Sequence, residues 1–384
     1  MPDLSVFFLN LMYTVGFRTL LALAGLAGSL ALAWLVLSLP GRRVLKLGLG
    51  LICLTGTGML LAMNPLRSLG LALPTWAIRL VCLCTACAIL LMLLQAARLL
   101  LTAAALPAAL FTRAPLRLLV ARKTSALVAV VGLLLGGMAF WNTVRIPEVR
   151  EVDIPIRNLP ASLENFHIVQ LTDLHLGTIF DASWLAALVK RVNALHPDVV
   201  TVTGDTGEAA PEIIAADLAP LLDLRATDGV FYALGNHESY QGVGAWVRFY
   251  ASAGHLLRNS HVVLTRDGAP LVLAGLDDAA PNLDKALTGS PAGAPRVLLR
   301  HRPGRAVDAA DRGVDLQLSG HTHGGLMPGV RQIIARANSG YVSGLYRVDR
   351  MKLYVSNGTG LWSYVAVRLF TPSEITSFRL TRAR

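Results

Sequence analysis

Hydrophobic and polar positions divide the 384-residue chain into two regimes. Up to about residue 145 the pattern is one of long apolar tracts without charge. Residues 19–39, 47–63, 80–97 and 125–142 each approach or reach the length that crosses a hydrocarbon core of about 30 Å, so about four transmembrane helices are expected. A further apolar tract, 99–111, is interrupted by Pro107; as a separate crossing it would reverse the side on which the rest of the chain emerges. The first tract is too long, and too far from any Ala-x-Ala-like cleavage site, for a signal peptide, so the helices are expected to stay in the mature protein.

After residue 148 the period shortens. Residues 149–160 alternate through Val152, Ile154 and Ile156 and stop at Pro160, which predicts a leading strand and linker. Residues 183–195 place Trp184, Leu185, Leu188, Val192 and Leu195 at helical spacing, with Ser183 as the expected N-cap. Apolar runs predict strands at 198–203, 230–234, 271–276, 296–299, 316–319, 353–356 and 375–380. Arg266-Asp267-Gly268 between two such runs signals a hairpin, so part of the sheet should be antiparallel. The expected product is a two-layered β core flanked by helices, residues 149–384, preceded by an all-α membrane anchor, residues 1–148.

Charge sharpens this division. Residues 1–150 carry 13 Lys/Arg and two acids, Asp3 and Glu148, whereas the remainder carries 22 of each sign. The whole excess of +11 therefore sits on the first 150 residues, and a globular part without basic surplus argues against nucleic acid as a partner. No Asp, Glu or His falls inside the four tracts, which favours an anchor over a transport or lipid-binding bundle. Arg42, Arg43 and Lys46 lie between the first two tracts, and Arg98, Arg113, Arg117, Arg122 and Lys123 between the last two. These denser loops are expected on the cytoplasmic side of an inner membrane, leaving the globular part outside. All four cysteines lie in the apolar half; Cys84-Thr85-Ala86-Cys87 reads as small buried residues, and no disulfide framework is expected.

The chemistry is concentrated in the globular half. Asp173-Leu174-His175, Gly204-Asp205, Gly235-Asn236-His237-Glu238, His301 and Gly320-His321-Thr322-His323-Gly324-Gly325 follow one another, most of them directly after an apolar, β-branched run. Ligands on loops at the C-terminal ends of buried strands are where open α/β sheets place their sites. Carboxylate and imidazole donors suit Mn, Fe or Zn, and the absence of thiolates argues against a structural zinc site. Asp173, His175, Asp205, Asn236, His301, His321 and His323 are more donors than one ion needs, and one bridging carboxylate would let two ions use them all.

This ordered set resembles the calcineurin-like metallophosphoesterase superfamily, in particular its bacterial membrane-associated branch, over about residues 150–384. The resemblance implies an α/β, four-layer αββα sandwich of mixed sheets flanked by helices. It implies that Asp173, His175 and His323 bind one divalent ion, Asn236, His301 and His321 a second, with Asp205 bridging. His237 would sit beside the scissile phosphate and protonate the leaving oxygen, with a metal-bridging hydroxide attacking in line. Two details depart from the branch: Thr206-Gly207-Glu208 stands where many relatives carry a further acid, and Leu326 follows the final glycine pair where a polar residue is common. Asp277 and Asp278 resemble a Gly-x-Asp-Asp feature, either a structural turn or support for the site. Arg300 and Arg302 flank His301 and could hold a phosphoryl oxygen or be solvated, while Trp362 and Tyr364 could wall the cleft or pack elsewhere. His167, His196, His255 and His261 are expected to be structural or surface residues.

The implied activity is hydrolysis of a phosphodiester or pyrophosphate near the bilayer, in a lipid head group or cell-envelope precursor. The alternatives are a UDP-2,3-diacylglucosamine pyrophosphatase of lipid A synthesis, which requires a cytoplasmic site, and a non-catalytic membrane sensor.

Overall fold

The computed structural model describes residues 32–40, 43–44, 46–54, 73–362 and 365–383. The chain divides into two compact units, Met1–Asn142 with Tyr364–Val367, and Thr143–Ser363 with Arg368–Arg384.

In the first unit, two described helices are long and apolar enough to cross a membrane, Thr75–Ala105 and Arg122–Val144. They contain the expected tracts 80–97 and 125–142; the tracts 19–39 and 47–63 lie largely or partly outside the described residues. The 99–111 tract is not a separate helix. Its first part continues Thr75–Ala105, and Pro107, with no N–H to give, opens a single 3-10 turn at Pro107–Leu110. Arg98 is therefore inside a helix rather than in a loop, and it is buried with Nε donating to Leu119 O at 2.7 Å. The two long helices approach closely where Gly136 faces Cys87: a Cβ on Gly136 would stand 2.5 Å from the Cys87 Cα, while one on Gly132 would meet Leu91. Gly132 and Gly136 form the small-xxx-small spacing that lets apolar helices touch. Cys87 packs there as a small side chain, and the four cysteines are all free.

The second unit is built on twelve strands among the described residues: β1 (Glu148–Ile156), β2 (His167–Leu171), β3 (Val199–Thr203), β4 (Val230–Ala233), β5 (His255–Leu256), β6 (Ser260–Arg266), β7 (Ala269–Gly275), β8 (Arg296–Leu299), β9 (Leu316–Ser319), β10 (Gly344–Val348), β11 (Met351–Val355) and β12 (Glu374–Arg382). They form two mixed six-stranded sheets, ordered β1-β12-β2-β3-β4-β5 and β10-β11-β9-β8-β7-β6. The expected leading strand is present and belongs to the first sheet: β1 runs parallel to β12 from Glu148 opposite Glu374 to Ile156 opposite Arg382. Asp267 and Gly268, both at positive φ, turn β6 into β7 as the sequence pattern predicts.

Alternation along the strands explains the layers. Ile154, Ile168, Phe231, Phe378 and Leu380 of the first sheet pack against Leu273, Val297, Leu299, Leu318 and Tyr354 of the second. Each such side chain contributes about 1.5–3 kcal/mol by leaving water. Phe378 meets Tyr354 edge-on at 5.0 Å across the layers, and truncation to Ala would cost about 3–5 kcal/mol. The outer face of the second sheet, with Ala274, Leu276, Leu298, Leu353 and Val355, is covered by the short helices Leu283–Leu287 and Ala306–Asp311. Outside the first sheet lie helices Ala182–Asn193 and Val243–Ala253, which bury Trp184, Leu185, Leu188, Trp246 and Tyr250. The former is capped by Asp181, not Ser183: the Asp181 carboxylate accepts from Trp184 N at 3.0 Å and from Ser183 Oγ at 2.6 Å. Aspartate is a strong acceptor for the orphan amides of a first turn, and Ser183 already lies inside the helix.

The parallel strands β2, β3 and β4 of one sheet and β8 and β9 of the other all point their C-terminal ends toward one edge of the sandwich. Just beneath that edge, Gln170 of β2 joins the sheets, its amide donating to Ser319 O of β9 at 3.3 Å and Thr203 Oγ1 of β3 at 3.2 Å.

Candidate metal centre

Each loop at this edge is held by its neighbour. After β2 and β3 the ladder continues into the loops, with Asp173 N donating to Gly204 O and His175 N to Asp205 O. The Glu238 carboxylate is fully buried and accepts from the amides of Asp205, Thr206 and Gly235 at 2.7–3.0 Å and from the Tyr250 hydroxyl at 2.7 Å. Glu238 is thus a clamp between the loops after β3 and β4. Across the sandwich, His301 Nδ1 lies 2.9 Å from Thr203 O, and Asp173 accepts from His321 N with both oxygens at 3.1 Å.

The backbone is bent to bring side chains inward. Asp173, His175, Asp205, His321 and His323 all have positive φ between 48° and 71°, a left-handed conformation that non-glycine residues rarely adopt. Such geometry persists where surrounding contacts over-determine it, and it clusters at functional sites. Gly235 and Gly320 are required for close approach: a Cβ on the first would strike the Asp205 carboxylate, and on the second the Asp173 carboxylate and Thr172.

All eight sequence-predicted residues lie at this edge, Asn236 and His237 opening the short helix Asn236–Gln241 after β4 and the other six on the loops and turns. Asp173, His175 and His323 offer donor atoms within 4.8 Å of one another, and so do Asp205, His301 and His321. His323 Nε2 is 3.3 Å from Asp173 Oδ1 and 3.2 Å from His175 Nε2. Asp205 Oδ2 is 3.1 Å from His301 Nε2 and 3.9 Å from His175 Nε2, so it reaches into both triads. Asn236 Oδ1 is buried without a hydrogen-bond partner among the described residues, although a buried amide oxygen left unpaired costs about 1–3 kcal/mol. Hard oxygen donors, imidazoles, no thiolate and one orphaned carbonyl fit divalent ions of the Mn, Fe or Zn type.

Electrostatics follow from this crowding. Burial opposes charge on His237 and His301, yet Asp205, with Glu208 beside the former and Asp173 beside the latter, outweighs it and raises them to about 9 and about 10. Burial holds His321 and His323 neutral, far below the usual imidazole range, with His301 and His175 respectively adding to the effect.

Two residues beyond the sequence-predicted set belong to the site. Glu208 Oε1 is 2.5 Å from His175 Nδ1 and 3.1 Å from His237 Nδ1, and despite its burial these imidazoles hold its carboxyl far below the ordinary range. An acid three residues after Asp205 was the available signal. Arg368 is fully buried; it donates to Gly360 O at 2.6 Å and His323 O at 3.2 Å and faces His323 Nδ1 at 3.3 Å. Burial pulls its guanidinium down to about 10.

The flanking residues separate clearly. Arg302 is fixed by Asp278 at 2.9 Å and stands beside Tyr240, whose ring lies 5.5 Å from that of His237. Arg300 instead donates to Arg305 O and lines a separate 280 Å³ cavity with Asp284, Asp308 and Arg312. Asp277 braces a turn through Arg258 and Ala279 N, so the two neighbouring aspartates have different jobs. Trp362 meets the His323 ring edge-on at 4.6 Å, and Tyr364 lies outside the described residues. His167 lies 2.8 Å from Ser377, His261 lies 2.7 Å from Ala286 O, His255 stacks on Phe231 and His196 is exposed; none joins the site.

Residues 166–325 match the family model of the calcineurin-like phosphoesterase. A metallophosphoesterase of Campylobacter jejuni is 37% identical over 62% of this chain and 64% of its own. A transmembrane protein with a metallophosphoesterase domain from Danio rerio is 34% identical over 67% of this chain and 61% of its own. A metallophosphoesterase of Bacillus subtilis is 31% identical over 64% of this chain and 89% of its own. The chain thus spans somewhat under two thirds of the length of the first two.

Proposed function

The chain belongs to the calcineurin-like phosphoesterase family, and from that premise we propose that it is a membrane-anchored, metal-dependent hydrolase of a phosphodiester or pyrophosphate. The observation that carries this reading is Asp205, whose Oδ2 reaches both the His175 and the His301 side of the cluster. Asp173, His175 and His323 would hold one ion and Asn236, His301 and His321 the other, with Asp205 available to both. Bound there, the ions would supply Lewis-acid polarisation of a phosphoryl oxygen.

The chain's own groups divide the remaining work. His237, tethered by Glu208 and bordering Asp205, gives its proton to the leaving oxygen. Arg302, held in place by Asp278, faces the non-bridging oxygens of the substrate. Residues 1–148 form a multi-pass anchor in the inner membrane, residues 149–384 work outside it, and tethering concentrates the site on lipid head groups or envelope precursors. Transmembrane relatives and the two long apolar helices support the anchor. A sensor reading is disfavoured because loss of function would be expected to lose donors. The pyrophosphatase of lipid A synthesis needs the opposite orientation.

The test is metal analysis and a panel of diesters, pyrophosphates and monoesters on detergent-solubilised full-length protein. Two ions per chain with diester or pyrophosphate turnover is the expected result; one ion, or monoester turnover alone, overturns the reading.

A further inference from the structure

The helix Val330–Ala337 follows the His321–His323 loop within a few residues, yet not one of its residues is buried. Val330, Ile333, Ile334 and Ala337 share one face at i, i+3, i+4 and i+7, and Ile333 is 60% exposed. Arg331, Gln332 and Arg336 are exposed around it, and the helix carries no acid. The apolar surface continues beyond the helix. Leu369 N bonds Leu326 O at 2.9 Å, which sets Phe370, 73% exposed and at positive φ, beside the segment leading into Val330. A soluble surface does not gain from an outward isoleucine and phenylalanine framed by arginines, whereas the boundary between lipid head groups and acyl chains matches both.

We propose that the helix Val330–Ala337 and Phe370 form a lipid-docking surface that beds into the head-group region of an anionic bilayer and holds the metal-site loop against it. This rests on the membrane-anchored reading above and says how the site reaches a lipid-borne phosphate. The occupant follows from chemistry and chain length together. Arg331 and Arg336 complement the charge of lipid phosphates. Only three residues separate the end of the apolar helix Arg122–Val144 from β1, so a bilayer that this helix crosses is always at hand.

Full-length protein in lipid nanodiscs provides the test. A spin label at Ile333→Cys is compared with one at Lys190→Cys, on the exposed side of helix Ala182–Asn193. In discs of phosphatidylglycerol and phosphatidylcholine, the label at 333 should relax with dissolved oxygen and resist a water-soluble nickel relaxant, while the label at 190 shows the reverse. Arg331→Glu with Arg336→Glu, or discs of phosphatidylcholine alone, should shift the label at 333 toward water. Equal access of the nickel relaxant to both labels overturns the proposal. So does equal shielding of the label at 333 in lipid-free amphipol, which would mean that protein covers this face. Turnover of a soluble aryl diester, measured on the same samples, reports separately on the hydrolase reading and should be unchanged by the two arginine substitutions.

Discussion

The Glu208 carboxylate sits 2.5 Å from Nδ1 of His175, so this imidazole donates through Nδ1 and has its Nε2 turned toward Asp173 and His323. The same Glu208 oxygen is 3.1 Å from Nδ1 of His237. One carboxylate therefore orients a candidate ligand and the candidate acid. Glu208→Gln should weaken metal affinity by about 10–100-fold, the usual effect of losing a ligand's outer partner, and should lower turnover even at saturating metal. Metal titration followed by kinetics checks both; unchanged affinity together with unchanged turnover would remove Glu208 from the site.

Asp205 reaches both triads, and its Oδ1 also accepts from His237 N at 2.9 Å. Asp205→Ala should cost more activity than Glu208→Gln and lose metal, because two ions lose their common ligand. The sandwich core lies below these loops, so circular dichroism should remain native. A folded Asp205→Ala protein with full activity contradicts the two-ion mechanism.

His237 contributes no atom to the Asp173-His175-His323 or Asp205-His301-His321 triad, and its own donor group is the one it forms with His175 and Glu208. His237→Asn should keep metal content nearly constant and slow esters with poor leaving groups by about 10²–10⁴-fold, while activated aryl esters, which leave without a proton, slow much less. Equal slowing of both classes would make His237 a contact rather than the acid.

The strands and the motif residues were legible because β-branched runs ending in Asp, Gly-Asp or Gly-His carry their own local signal. Glu208 was not, since its meaning comes from a distance across two loops to His175 and His237, and Thr206-Gly207-Glu208 has no period of its own. Arg368 shows the same limit. In the sequence it interrupts the apolar run Val365-Ala366-Val367, and only the fold places its guanidinium on His323 O and Gly360 O. The β1–β12 pairing joins residues over 200 positions apart, and alternation alone cannot specify such a partner.

The pH dependence of the metal-free protein follows from His237 and His301, raised to about 9 and about 10 against about 6.5 when unfolded. A raised folded value means stabilisation that is fully present below about pH 6.5 and is lost as pH rises through 9 to 10. Chelated protein in detergent should therefore show a melting temperature that falls from pH 6.5 to 9.5. Metal-loaded protein should show a flatter profile, because a ligated His301 has already released its proton. Asp205→Asn, which removes a main source of the shift, should flatten the chelated profile as well. A chelated melting temperature that rises over this range would contradict the assignment.

The last prediction concerns the side of the membrane. Arg98 no longer counts as a loop charge, since it is buried within Thr75–Ala105, but Arg113, Arg117 of the short helix Ala114–Val120, and Arg122 and Lys123 in the first turn of Arg122–Val144 still gather at the connection between the two long helices. Nor does the 99–111 tract add a crossing, because its first part continues that helix and its remainder is a single turn and a bend. Together with Arg42, Arg43 and Lys46, expected from the sequence on the same side, the positive-inside rule predicts that residues after Arg145 emerge outside the cytoplasm. A reporter active only outside the cell membrane, fused after Arg150, should be active, and one fluorescent only in the cytoplasm should be dark. The opposite pattern would place the metal site in the cytoplasm, where a nucleotide-linked lipid pyrophosphate is a reachable substrate, and would favour the pyrophosphatase of lipid A synthesis over an envelope hydrolase.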